Sequence, residues 1–83
     1  MVHPETKSDP RKIFGETLRS VRLGVGMSQE ELAHRAALDR TYVSSCERGR
    51  RNVSLETIVR LADALDVPPS ALLSGLERSR GDR

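Results

Sequence analysis

The sequence predicts an all-α domain of five short helices. Apolar residues recur at helical spacing through most of the chain, and nowhere in the strict alternation of a half-buried strand. Capping residues precede these stretches, and Gly or Pro follows most of them. With 83 residues the chain makes one domain, burying about 60–65% of its unfolded surface.

Residues 1–10 read as a flexible arm without periodicity. It ends in Asp9-Pro10, an N-cap followed by a proline preset for the first helical turn. The first helix carries Phe14, Leu18, Val21 and Val25 on one face, and Gly24 and Gly26 end it. Ser28-Gln29-Glu30-Glu31 opens the second helix as a capping box. Ser28 accepts from the Glu31 backbone N–H, and the Glu31 carboxylate reaches back to Ser28. Leu32, Ala33 and Ala36 face inward, and this helix closes near Ala36 or Ala37. Asp39 caps a third helix, Arg40 to about Glu47, which turns Val43 and Cys46 to the core with Leu38 just before it. Its other faces are polar and rich in hydroxyls, and Gly49 ends it.

Arg50-Arg51-Asn52-Val53 is a basic loop. Ser54 caps a fourth helix whose apolar set is Leu55, Ile58, Val59, Leu61, Ala62 and Leu65. That set is wider than one stripe, as in a central helix packed on several sides. Asp66-Val67-Pro68 interrupts it, and Pro69 opens a fifth helix with Ala71, Leu72 and Leu73, stopped by Gly75. The ordered domain is thus 11–75, and 76–83 reads as a flexible tail.

Composition removes several function classes. One cysteine, Cys46, forms no internal disulfide, and with His3 and His34 as its only histidine companions a metal site is not expected. Cys46 reads as a small buried hydrophobe, not a nucleophile. No apolar run approaches the roughly 20 residues of a membrane helix, and the start lacks a signal peptide, so a cytoplasmic protein is expected. Gly24-x-Gly26 lacks the strand and third glycine of a nucleotide loop, and His34, Asp39 and Ser44 form no triad. No enzymatic activity, cofactor or small-molecule ligand is expected.

The net charge of +2 hides an uneven distribution. Arg11 to Gly24 holds four basic residues against one acidic, a local +3, and so does Arg40 to Arg51. Ser54 to Ser74 is locally −2. Solvated helix faces account for such a pattern; so does one face for a polyanion and another for a different partner.

Residues 28–48 decide between these readings. Two short helices joined by about three residues, the second with a polar outer face, have the form of a helix-turn-helix. The first helix of such a unit braces on the phosphate backbone, and the second lies in the major groove of double-stranded DNA.

Ser28-Gln29-x-x-Leu32-Ala33, then Leu38-Asp39-Arg40-Thr41-Tyr42-Val43-Ser44, then Glu47-Arg48-Gly49 resembles the lambda-repressor/Cro-like (xenobiotic-response-element) helix-turn-helix family over about residues 12–74. With Arg51-Asn52-Val53-Ser54-Leu55, the pattern is most similar to restriction–modification controller proteins. The resemblance implies a compact five-helix lambda-repressor-like DNA-binding domain in a small dimeric transcription regulator. It also implies roles, residue by residue. Gln29 matches the phosphate-clamping glutamine beside Ser28, with a simple N-terminal filler as the alternative. Arg40 and Thr41 stand in the first turn of the recognition helix, with Ser44 and Ser45 one turn on, and all four are candidates for reading bases. Tyr42 either packs on the DNA backbone or is a half-buried structural residue. Arg48, Arg50, Arg51 and Asn52 are phosphate candidates, though Arg48 could instead pair with a carboxylate. Glu47 ties the recognition helix to its neighbours, with Arg19 or Arg22 as partner. The family often has glycine where this chain has Ala37; a positive φ there costs about 1 kcal/mol relative to glycine.

Two functions fit these features. The first is a homodimeric regulator on a (pseudo)palindromic operator, acting at the bacterial nucleoid, with its dimerisation region at about 64–76. Val67, Pro68, Leu72, Leu73 and Leu76 there exceed what one small core is expected to bury. The second is an antitoxin-type interaction module, against which the short terminal segments weigh.

Overall fold

The computed structural model describes residues 9–80; most of the expected arm and the end of the expected tail lie outside the described residues. Five helices follow in order: α1 (Pro10–Val25), α2 (Gln29–Ala36), α3 (Arg40–Glu47), α4 (Leu55–Leu65) and α5 (Pro69–Arg80). There is no strand among the described residues.

Short polar side chains start these helices by satisfying N–H groups that lack an intrahelical partner. Asp9 Oδ1 accepts from the Arg11 backbone N–H at 3.0 Å, and its bond to the Arg11 side chain holds the carboxyl below its ordinary pKa. Ser28 Oγ accepts from Glu31 N at 3.0 Å, and Ser54 Oγ from Thr57 N at 3.1 Å. The capping box at Ser28 is only half formed. The Glu31 carboxylate pairs instead with Arg35 one turn on, at 2.9 Å. Asp39 occupies the N-cap position of α3 with extended backbone, but its side chain makes no capping bond.

Three helices end in the left-handed region, at Gly26 (φ 80°), Ala37 (φ 59°) and Asp66 (φ 60°). Ala37 and Asp66 carry a Cβ there, at about 1 kcal/mol each relative to glycine. The strain at Ala37 is offset by closing α2 against the turn: its N–H donates to His34 O at 3.2 Å, and Leu38 N to Ala33 O at 2.8 Å.

The core comprises Phe14, Leu18, Met27, Leu32, Val43, Cys46, Ile58, Leu61, Leu65 and Leu72 with Ala33, Ala36 and Ala62. Each fully buried leucine contributes roughly 1.5–3 kcal/mol of transfer free energy. α1 packs chiefly on α5 and α3, and α2 lies on α3 and α4. Two glycines let helices approach closely. Gly15 of α1 is buried against the end of α3, where a Cβ would come within 2.7 Å of the Glu47 carbonyl oxygen. Gly75 of α5 lies on α1, where a Cβ would stand 3.1 Å from Ile13 Cγ2 and closer still to the Thr17 hydroxyl.

Four further expectations from sequence are corrected. Gly75 does not stop α5, which continues to Arg80; the glycine serves close packing on α1, not chain reversal. Val25 is the last residue of α1 and is exposed; after Gly26 it is Met27 that enters the core. Leu55 and Val59 are exposed, so α4 buries only the stripe Ile58, Leu61, Ala62 and Leu65. Leu72 is 0% exposed in the chain's own core and has no surface to offer a partner.

Candidate nucleic-acid interface

Two polar helix N-termini and the basic segment after α3 build this surface. Arg40 and Thr41 open α3 and are exposed, on a helix whose inner side is anchored by Val43 and Cys46 at 0% and 1% exposure. The first turn of α3 therefore projects from a rigid base. Its backbone N–H groups also point outward with the positive end of the helix dipole.

At the other end of α3 lies a buried polar network. Arg22 Nε donates to Glu47 Oε2 at 2.6 Å and Arg22 Nη2 to Glu47 Oε1 at 2.9 Å, a bidentate pair from α1 to α3. Arg22 Nη1 also donates to the Met27 carbonyl at 2.9 Å. The two side chains are 8% and 3% exposed. The hydrogen bonds to Glu47 raise the Arg22 pKa, so the guanidinium stays charged. Of the two partners that the sequence offered Glu47, the structure selects Arg22; Arg19 is exposed.

Gln29 joins the same network. Its Nε2 donates to Glu47 Oε1 at 3.0 Å, so the first residue of α2 is tied to the last of α3. This is the contact that sequence reasoning missed. Glutamine at a helix start has no spacing signal for a partner 18 residues away. Ser28 spends its oxygen on the α2 cap.

The remaining side chains group into two pairs. Arg48 Nη1 donates to Ser44 Oγ at 2.7 Å, so Arg48 has a hydroxyl partner instead of a carboxylate. Ser44 and Ser45 are half-buried, less open than Arg40 and Thr41. Arg51 sits over the Tyr42 ring, 5.1 Å from its centroid, a cation–π contact that folds the basic loop back on α3. Tyr42 is half-buried against the core, and burial raises its pKa, with Cys46, Thr57 and Arg51 as polar neighbours. Burial likewise pushes the Cys46 thiol up. Arg50, Arg51 and Asn52 are exposed. The turn before them is fixed by Gly49 at φ 77°, packed on Lys12 of α1, with Arg50 N donating to Ser45 O at 3.0 Å.

Of the residues expected at a dimer interface, Pro68 is exposed, Val67, Leu73 and Leu76 are half-buried, and Leu72 is internal. Among the described residues there is no cluster of three or more potential metal ligands, and no helix long and apolar enough to cross a membrane.

The model of the helix-turn-helix family matches residues 18–72. The control protein C.BamHI of Bacillus amyloliquefaciens is 50% identical over 64 residues, covering 76% of this chain and 79% of the relative. The crystal structure of the restriction–modification controller protein C.AhdI from Aeromonas hydrophila matches with a TM-score of 0.73 at 52% identity, over 75% of this chain and 94% of that one. The controller protein C.Esp1396I, crystallised as a tetramer in complex with its natural 35 base-pair operator, matches with a TM-score of 0.74 at 30% identity, over 83% and 91%.

Proposed function

The chain belongs to the helix-turn-helix family, and from that premise we propose that it is a controller-type transcription regulator that binds double-stranded DNA as a homodimer on a pseudo-palindromic operator. The observation that carries this is the exposed first turn of α3, Arg40 and Thr41, on a helix whose last residue is tied to α1 and α2 by the buried Arg22–Glu47–Gln29 network.

Each side chain has a task on DNA. Arg40 donates both arms of its guanidinium to O6 and N7 of a guanine in the major groove. Thr41 offers its methyl to a thymine or its hydroxyl to a phosphate. Ser45, one turn on the same face, and Ser44 reach adjacent base edges. An amide nitrogen carries two N–H groups, and Glu47 takes one of those on Gln29. The other serves a phosphate oxygen, beside the α2 N-terminus and Ser28. The Glu47 bond thereby orients the clamp. Arg48, Arg50, Arg51 and Asn52 hold phosphates that fix register without reading sequence, and Tyr42 supports Arg51 from beneath.

One such unit reads only a few base pairs, too few for a genome of competing sites. Two copies related by a twofold axis double the site, with half-site centres one turn of DNA apart, about 34 Å. The protein acts by binding alone, without a cofactor, in the cytoplasm at the bacterial nucleoid.

Selection from a random duplex library tests this proposal. The expected product is an inverted repeat with half-sites about 10 base pairs apart, centre to centre. Enrichment of no common sequence at physiological salt would overturn it.

A further inference from the structure

Two cations of the basic segment 11–24, Arg11 and Lys12, stand in the first turn of α1, and both are exposed. Of the others, Arg22 is buried on Glu47, and Arg19 lies about two turns further along the helix. Backbone bonds to the capping residue hold the first turn in place: Lys12 N and Ile13 N each donate to Asp9 O at 3.1 Å.

Two separate contacts lay this turn against the loop that follows α3. Gly49 packs on Lys12 so closely that a Cβ there would stand 2.8 Å from Lys12 Cγ and 2.9 Å from Lys12 Cα. The glycine leaves a seat for the lysine stem. On the same turn, Arg11 lines one cleft together with Arg51 and Asn52. A lysine lays its methylene stem on the protein surface and keeps its ammonium in water. With the stem seated at Gly49, that ammonium stays within the length of a side chain of the loop carrying Arg48, Arg50 and Arg51. Three acidic residues stand near. Asp9 draws Arg11 back, at 3.4 Å. Glu47 is buried and taken up by Arg22 and Gln29. Glu16, one turn on, is exposed. None of the three forms an ion pair with Lys12.

We propose that Lys12 is a phosphate contact of the DNA interface, which thereby extends beyond the helix-turn-helix to the first turn of α1. This rests on the reading of the chain as a DNA-binding regulator. DNA that lies along α3 and is held by Arg48, Arg50 and Arg51 carries its backbone past Gly49, and so past the lysine seated there. An ammonium is a point charge that accepts a phosphate oxygen from several directions and reads no base. Gly49 then has two tasks. Its φ of 77° turns the chain out of α3, and its bare Cα seats the lysine that shares the DNA backbone with the loop.

Lys12→Met keeps a stem on Gly49 and removes the charge, so its circular dichroism and thermal denaturation are expected to match wild type. It is titrated on a duplex of random sequence and on the duplex enriched from the random library. On both it is expected to bind about fivefold more weakly at physiological salt, with the slope of log K against log salt shallower by about one unit. Lys12→Arg is expected to keep the wild-type slope. Neutralising single phosphates of the enriched duplex as methylphosphonates locates the contact: one position per half-site is expected to weaken wild type and to leave Lys12→Met indifferent. A folded Lys12→Met with an unchanged slope, or with no phosphate to which it is less sensitive than wild type, would overturn the proposal. So would equal losses in Lys12→Met and Lys12→Arg, which would make packing and not charge the cause. A wild type that enriches no duplex and shows no salt-dependent binding to the random one would instead overturn the DNA-binding reading itself.

Discussion

Glu47 is where fold and function meet in one side chain. It accepts from Arg22 twice and from Gln29 once, and so joins α1, α2 and α3 at a point with little access to water. A buried ion pair adds little over a well-packed apolar pair, but a lone buried charge costs about 3–5 kcal/mol. Glu47→Ala is therefore expected to lose about that much in urea denaturation, and Arg22→Leu/Glu47→Leu to recover most of it. A loss below about 1 kcal/mol for Glu47→Ala would mean that water already screens the pair. The role of Glu47 was legible in the sequence, but its partner was not. Arg19 and Arg22 both lie on α1, and only the rotation of that helix in the packed state buries Arg22 and exposes Arg19. Ala37 shows the reverse case: its left-handed conformation, φ 59°, was legible from a family position that often holds glycine.

At the scale of elements, the helix starts were legible because Asp9, Ser28 and Ser54 cap through short-range bonds that the local sequence specifies. Glycines misled because their meaning is tertiary. Gly75 resembles a stop signal and is a contact with α1; Gly15, which no local pattern marks, lies at the crossing with α3. The apolar surplus on α4 resembled a central helix because periodicity does not distinguish core from an unpartnered face. Gly15 and Gly24 provide a paired test. Gly15→Ala drives a methyl into the carbonyls of Cys46 and Glu47. It is expected to cost about 1–3 kcal/mol and to lower operator affinity by shifting α3. Gly24→Ala meets nothing within 4 Å, so it is expected to stabilise α1 by about 0.5–1 kcal/mol with DNA binding unchanged. Thermal denaturation and operator titration of both variants check this; equal effects at the two sites would show that the α1–α3 crossing does not govern α3.

At the scale of the whole molecule, a core of small helices serves to present one turn of α3. The exposed basic residues of 40–51 lie on and after that helix, while 54–74 is acidic, as the charge distribution along the sequence foretold. The central claim is that Arg40 reads a base and that the basic residues after α3 chiefly hold phosphate. Binding of wild type and Arg40→Ala to a panel of operators, each with one base pair changed, tests it most directly. Arg40→Ala is expected to cost about 1–3 kcal/mol on the full operator and to become indifferent to substitution at one guanine per half-site, with discrimination kept elsewhere. If every operator weakens by the same factor and their ranking is unaltered, Arg40 contacts only the backbone, and base reading by the first turn of α3 is contradicted.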